Sequence, residues 1–404
     1  MDSPPKALTT LVERFDIAAL DRPPEESRVR LKVLDAGAWD VVIRGRRKPV
    51  LEPRSRGRAT AVLTADRASW NSIARDVRGG MRAFQRGRLT IRYDLHVGVG
   101  FLAATSGMTD DPRRMSFKSV ETRIGDISTI QAGEGDPLLC IHGLGATKAS
   151  FLPTMSALSE HHRVIAMDLP GFGDSAKPLG AAYDAQFFGQ SVLSLMDAMG
   201  LERAHLVGIS MGGRVALEVS MTAPERVGGV VLLAPALAWL RKRPWAFPLK
   251  LVRPELGILQ PAPRAVVEGI VRRLVPGARD GWTAAGVDEF LRAYYKPRGR
   301  AAFYAAARNI YLDAPLGDYG FWNRLGTMEP DSLFVWGRQD TLVPLGFRRH
   351  VEDRLPAASH LELDCGHVPQ LEEPASVHGE MRRFLAEQPL SRTGRTATTA
   401  AAAA

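Results

Sequence analysis

Ala204-His205-Leu206-Val207-Gly208-Ile209-Ser210-Met211-Gly212-Gly213 opens as an apolar strand and closes as the start of a helix. Between the two lies a G-x-S-x-G pattern, Gly208 to Gly212, in the strand–turn–helix setting such a pattern requires. A nucleophile must sit in a sharp, strained turn if its hydroxyl is to project above the sheet. Glycines two residues to either side keep Cβ atoms from colliding where strand and helix converge. The helix expected over Met211–Thr222 also directs its positive end at the same point. The pentapeptide alone arises by chance; its context makes Ser210 the candidate nucleophile.

A serine needs a base, and the base needs an orienting acid. Downstream, Leu333-Phe334-Val335-Trp336-Gly337-Arg338-Gln339-Asp340 reads as a buried strand that delivers Asp340 at its C-terminal end. Leu361-Glu362-Leu363-Asp364-Cys365-Gly366-His367 delivers His367 after the next strand. One strand–helix–strand crossover separates them, so acid and base reach the sheet edge that carries Ser210. Asp364 is a rival acid, but its nearness to His367 in sequence suits loop shaping better. After the strand Pro137–Ile141 comes His142-Gly143-Leu144-Gly145. The N–H groups of Leu144 and Met211 are the expected oxyanion hole. His142 is read as a support for that loop, and Cys140 and Cys365 as buried structural thiols.

Working outward, continuous apolar strands alternate with amphipathic helices from Ser119 onward, the pattern of a parallel sheet covered on both faces. Strands are expected at 137–141, 164–167, 204–207, 230–233, 333–336 and 358–363. Helices are expected between them, among others at 187–199, 211–222 and 375–386. Residues 236–325 break the alternation as a long helical insertion rich in Trp and Tyr. Residues 389–404, ending in SRTGRTATTAAAAA, have nothing to pack and are expected to be a disordered tail.

Over roughly residues 119–388 these motifs resemble the α/β-hydrolase superfamily. The likeness extends to Asp168-Leu169-Pro170-Gly171-Phe172-Gly173-Asp174-Ser175, similar to the loop after that family's fourth strand, and to Gly366-His367-Val368-Pro369-Gln370-Leu371-Glu372-Glu373-Pro374, similar to its histidine loop. The resemblance implies a mostly parallel sheet roofed by a helical cap at about 236–325. Serine at the nucleophile position implies esterases, lipases, thioesterases, cofactor-free perhydrolases or C–C bond hydrolases, and argues against dehalogenases and epoxide hydrolases.

The first 106 residues read differently, as a small α+β unit. Val29–Leu34 and Trp39–Arg44 alternate with period two around the turn residues Asp35-Ala36-Gly37-Ala38, which predicts a hairpin. A strand at Ala59–Leu63, a helix at Arg67–Arg75 capped by the Thr64-Ala65-Asp66 stretch, a strand at Leu89–Tyr93 and an apolar helix or strand near Leu95–Ala104 follow. Gly107–Lys118 is polar and suits a linker. The hairpin, the run Ala59–Asp66 and Met81-Arg82-Ala83-Phe84-Gln85-Arg86-Gly87-Arg88-Leu89-Thr90-Ile91-Arg92-Tyr93-Asp94 resemble the sterol-carrier-protein-2-like (SCP2-like) lipid-binding domains. That resemblance implies an apolar tunnel, with Trp70, Ile73, Phe84 and Phe101 as lining candidates; simple core packing is the plainer reading of the same four.

The chain has 404 residues, a net charge of +9 and two cysteines. Two cysteines imply no disulfide framework, and with no N-terminal apolar h-region and no ~20-residue apolar run the reading is cytoplasmic. Residues 1–110 carry 20 Lys and Arg against 13 Asp and Glu, and residues 236–330 carry 15 against 8. This positive charge suits solvated surface arginine, or attraction to an anionic membrane or an acidic substrate group. It lacks the motifs and basic–aromatic interleaving of nucleic-acid binding. No cofactor and no metal are expected. The expected substrate is a small hydrophobic ester or acyl compound, cleaved through an acyl-enzyme on Ser210 with the first unit binding its lipid part. The alternatives are C–C hydrolysis of ring-cleavage products, and a lipid-transfer protein with a vestigial hydrolase unit.

Overall fold

The computed structural model describes residues 3–20, 26–106, 110–240, 251, 253, 263–274 and 280–390. The N-terminal unit is built on strands β1 (Ser27–Val33), β2 (Gly37–Ile43), β3 (Val50–Pro53), β4 (Ala61–Ala65) and β5 (Thr90–Tyr93), in the order β3-β2-β1-β4-β5. β1 and β2 form the expected hairpin, from Ser27 opposite Ile43 to Val33 opposite Gly37, while β4 joins β1 in parallel. Alternate residues of β1 are buried, as their period-two pattern requires. Helices α1 (Lys6–Glu13), α2 (Arg67–Ile73), α3 (Met81–Gln85) and α4 (Leu95–Thr105) complete the unit. Leu95–Thr105 is thus helix, with Asp94 accepting from the N–H of Val97 as its cap.

The second sheet runs β13-β12-β11-β10-β8-β9-β7-β6. Its six parallel strands are β8 (Asp136–Ile141), β9 (His162–Met167), β10 (Ala204–Ile209), β11 (Val227–Leu233), β12 (Ser332–Gly337) and β13 (Ser359–Leu363). Two antiparallel strands, β6 (Ser116–Val120) and β7 (Ile127–Ala132), extend it and were not foreseen. Their mixed polar composition hides them, because pairing with β9 rather than propensity makes β7 a strand. Strand β6 also takes Ser116–Lys118 out of the expected linker. Helices α5 (Leu152–Leu158), α6 (Ala185–Ala198) and α7 (Met211–Thr222) follow the strands. In the insertion lie α8 (Arg264–Leu274), α9 (Asp280–Tyr294), α10 (Pro297–Tyr311) and α11 (Phe321–Leu325). Beyond it are α12 (Arg348–Glu352), α13 (Pro369–Glu372) and α14 (Pro374–Ala386). Much of 241–262, residues 275–279 and the tail from 391 lie outside the described residues. Within the expected tail, the N–H of Leu390 donates to Asp136 at 3.1 Å.

The two units are not beads on a string. One continuous apolar cluster runs from Leu8, Leu31, Trp70 and Phe101 through Phe117 and Met155 to Leu138, Val207 and Leu333 of the large sheet. Arg78 reinforces the seam, bonding Ser156 O and Glu160. Trp70, Ile73, Phe84 and Phe101 are 0%, 2%, 2% and 0% exposed, all within that cluster. No helix among the described residues is long and apolar enough to cross a membrane.

Asp40 fixes the outer half of the small sheet. Its carboxylate accepts from Arg30 Nε at 2.8 Å and from Ser55 N at 3.0 Å and Oγ at 2.9 Å. Burial alone would raise its pKa, but Arg30 and Ser55 hold it down at about 2. A depressed carboxyl stabilises the fold above the unfolded value and loses that effect as pH falls through the folded one. Asp40→Asn is therefore expected to cost about 3 kcal/mol at pH 7, the scale of breaking a buried pair. The gap to the parent should narrow in urea titrations below about pH 3.8.

Candidate active site

In the large sheet, β8 is flanked by β9 on one side and β10 on the other, so the chain reverses its winding direction there. Open α/β sheets place their sites at the carboxyl ends of the strands at such a point. Ser210 ends β10, 5% exposed, at φ 51° and ψ −117°, a left-handed conformation rare outside glycine. The reason lies in its neighbours. A Cβ on Gly208 would sit 2.3 Å from Gly212 O, and one on Gly212 only 2.0 Å from Ile141 O. Strand, elbow and helix thus close on β8 at distances only glycine permits.

Asp340 and His367 lie side by side. His367 Nδ1 lies 2.7 Å from Asp340 Oδ2, while Asp340 Oδ1 accepts from the N–H groups of Leu342 at 2.8 Å and Val343 at 3.0 Å. Those bonds fix the carboxylate so that it can orient the imidazole. His367 and Ser210 line the same cavity, of about 390 Å³. Asp364 is exposed and binds Gln339 Nε2 at 2.9 Å, away from His367. Leu144 borders the cavity. Met211 opens α7, where first-turn N–H groups have no intrahelical acceptor. His142 Nε2 accepts from the N–H of Leu169 at 3.0 Å, and Nδ1 lies 2.7 Å from Gly143 O, so the ring braces the loop. Burial lowers its pKa and keeps it neutral. Cys140 and Cys365 are free and buried, and burial with nearby acids pushes the Cys365 thiol up to about 12.

Three features were not read from the sequence. Tyr311, at the end of α10, lines the same cavity as Ser210. Burial raises its phenol above the ordinary value, so it stays protonated at neutral pH. Leu95, from the N-terminal unit, lines the cavity. Behind Leu144, the buried Lys148 lies 2.5 Å from Asp168 and 3.2 Å from Asp174. Asp174 also accepts from Arg292 of α9 at 2.8 Å. Its carboxyl would rise through burial, but His96, Lys148 and Arg292 hold it far below the usual range. The Asp168–Ser175 loop stood out in the sequence, yet nothing in it announced these partners. The remaining cavity wall is mostly apolar or aromatic, including Val267, Ile270, Phe290, Phe303 and Leu371, with Thr147, Ser150 and Glu289 as its polar members. Trp70, Ile73, Phe84 and Phe101 are not among the residues that line it.

Residues 136–374 match the alpha/beta hydrolase fold family, and the chain belongs to that family. The matched span begins at β8 and leaves the N-terminal unit outside it. A dihydrolipoyllysine-residue acetyltransferase component of an acetoin cleaving system from Pseudomonas putida is 31% identical over 259 residues, 62% of this chain. The chain spans only 64% of that protein's length. A 2-hydroxymuconate semialdehyde hydrolase from Pseudomonas sp. (strain CF600) is 29% identical, covering 63% of this chain and 89% of that one. Among solved structures, a membrane phospholipase A, a bacterial virulence factor, is 27% identical with a TM-score of 0.58, over 68% of this chain and 86% of that one.

The elbow geometry makes a direct prediction. Gly212→Ala must displace the β8 carbonyl and is expected to cost about 3 kcal/mol, near the upper range for overpacking. Gly379→Ala, in mid-α14 with open space at its Cβ, is expected to stabilise by up to about 1 kcal/mol. Denaturant midpoints of the two variants read both signs at once.

Proposed function

We propose that the protein is a serine hydrolase that cleaves an ester or thioester of an apolar carboxylic acid through an acyl-enzyme on Ser210. The observation that carries this reading is the largely apolar cavity of about 390 Å³ that Ser210 and His367 share. Ser210 attacks the acyl carbonyl as His367 Nε2 takes its proton, and Asp340 at Nδ1 stabilises the imidazolium. The tetrahedral oxyanion is held by the N–H groups of Leu144 and Met211. His367 then protonates the leaving alcohol or thiol. Water, deprotonated by His367, attacks the acyl-enzyme and releases the acid. The Tyr311 hydroxyl, which shares the cavity with Ser210, is the group we assign as a donor to the reacting oxygens. None of these steps requires a metal or cofactor from the protein.

A cavity with this lining suits an acyl chain or small ring better than a charged head group. The acyl chain is therefore placed here. Trp70, Ile73, Phe84 and Phe101 pack in the shared core, and we assign them no contact with substrate. The 2-hydroxymuconate semialdehyde hydrolase relative supports a second reading, C–C hydrolysis of ring-cleavage products by the same three residues. Such a substrate must have its cleaved carbon protonated, and Tyr311 is the group positioned to do so.

Ser210→Ala is expected to reduce p-nitrophenyl ester turnover by about 10⁴-fold or more. Full activity in that variant would end the serine reading. Tyr311→Phe is expected to lower kcat by about 10- to 100-fold with KM little changed, as for loss of a donor used in the transition state. Equal trials on esters and on a ring-cleavage dienoate separate the two substrate classes.

A further inference from the structure

Five consecutive residues of the N-terminal unit, Arg92 to His96, each touch the hydrolase unit. Arg92 Nε donates to Asp288 Oδ2 at 2.7 Å, and the N–H of Tyr93 donates to the same oxygen at 2.8 Å. Tyr93 has φ 73°, a left-handed conformation that costs a bulky residue free energy and needs such an anchor. Asp94 lies 3.9 Å from Arg292. Leu95, 5% exposed, lines the cavity. His96 Nδ1 lies 3.0 Å from Asp174 Oδ2. From the cap side, Arg264 of α8 closes on Asp288 Oδ1 at 2.6 Å. The turn between β5 and α4 is therefore pinned to α9 on one side and to the Asp174 cluster on the other, with Leu95 between the pins.

This arrangement differs from a carrier domain that hands substrate over from a tunnel of its own. Leu95 sits at the first position of α4, immediately after its cap Asp94, so its backbone is set by a helix start and by the contacts of Arg92 with Asp288 and of His96 with Asp174 on either side. A side chain held that firmly defines a wall. The cavity is built from the cap above, the Leu144 loop beside it and the N-terminal unit, and the family match at 136–374 covers only the first two.

We propose that the β5–α4 turn is a wall of the acyl pocket and that Leu95 determines how long an acyl chain the site accepts. The proposal rests on the serine-hydrolase reading for its substrate class. In an apolar pocket, one methylene of fit changes kcat/KM by about 10- to 200-fold. Filling or emptying the Leu95 position therefore moves the chain-length profile rather than scaling all rates alike.

The test uses the full chain and p-nitrophenyl butyrate, octanoate and dodecanoate. Leu95→Trp is expected to lower the octanoate-to-butyrate ratio of kcat/KM about tenfold. Leu95→Ala is expected to raise the dodecanoate-to-octanoate ratio by a similar factor of about ten. Shifts of about threefold or more in these directions uphold the proposal; smaller ones, or ones of opposite sense, overturn it. Should either variant lose its cooperative melt, Leu95→Val, which empties the wall by one carbon, stands in with the direction expected of Leu95→Ala. A second readout needs no turnover. Binding of 11-(dansylamino)undecanoic acid to Ser210→Ala is expected to weaken about tenfold when Leu95→Trp is added, and unchanged binding would contradict the wall. Parent protein that binds this acid but cleaves no ester refutes the hydrolase reading and leaves the wall to be judged on binding alone.

Discussion

The backbone of Ser210 is the constraint on which the rest depends. Its φ of 51° is unfavourable by itself and persists only because β10, α7 and β8 close around it. Their approach is set by Gly208 and Gly212, whose missing Cβ atoms leave room for the carbonyls of Gly212 and Ile141. Gly143 extends the same contact, since a Cβ there would lie 3.3 Å from the Ser210 Cβ. The turn raises the hydroxyl, aims the start of α7 at the site and sets the Leu144 loop beside it. Geometry at one residue thus fixes the Ser210 hydroxyl, the start of α7 and the Leu144 loop together.

A second organising element is the buried charge cluster behind that loop. Lys148, Asp168, Asp174, Arg292 and Glu289 exchange ion pairs, with His96 at the edge. Buried charges are tolerated when paired and hydrogen-bonded, and here the cations outbid the cost of burial and keep Asp168 and Asp174 ionised. Gly173 belongs to the same design, because a Cβ there would lie 2.1 Å from Asp168 Oδ2. The cluster ties the segment after β8, the loop after β9, the cap and the N-terminal unit at one place.

What was legible in the sequence follows from range. Ser210 and Asp340 follow buried apolar strands and His367 follows β13, so local pattern and family order singled out all three as candidates, and the parallel strands lie at the runs the sequence marks. The hairpin at Ser27–Ile43 was visible in its alternation. Strands β3, β6 and β7 were not, because their residues are mixed in polarity, and β7 is held in the sheet by its pairing with β9 some thirty residues on. Tyr311 and Leu95 carry no local signal: each is an ordinary residue of a helix until α10 and α4 are brought to the same cavity. For the same reason the sequence suggested two units on a linker, whereas the structure joins them through one apolar core.

The central claim is that Ser210, alone among the serines, is chemically activated by this setting. Reaction of the full chain with a fluorophosphonate, followed by intact-mass and peptide mass spectrometry, tests it most directly. The account predicts one stoichiometric adduct on the peptide holding Ser210, absent after urea unfolding and slowed by several orders of magnitude in His367→Ala. No adduct, or an adduct on another serine, would contradict it.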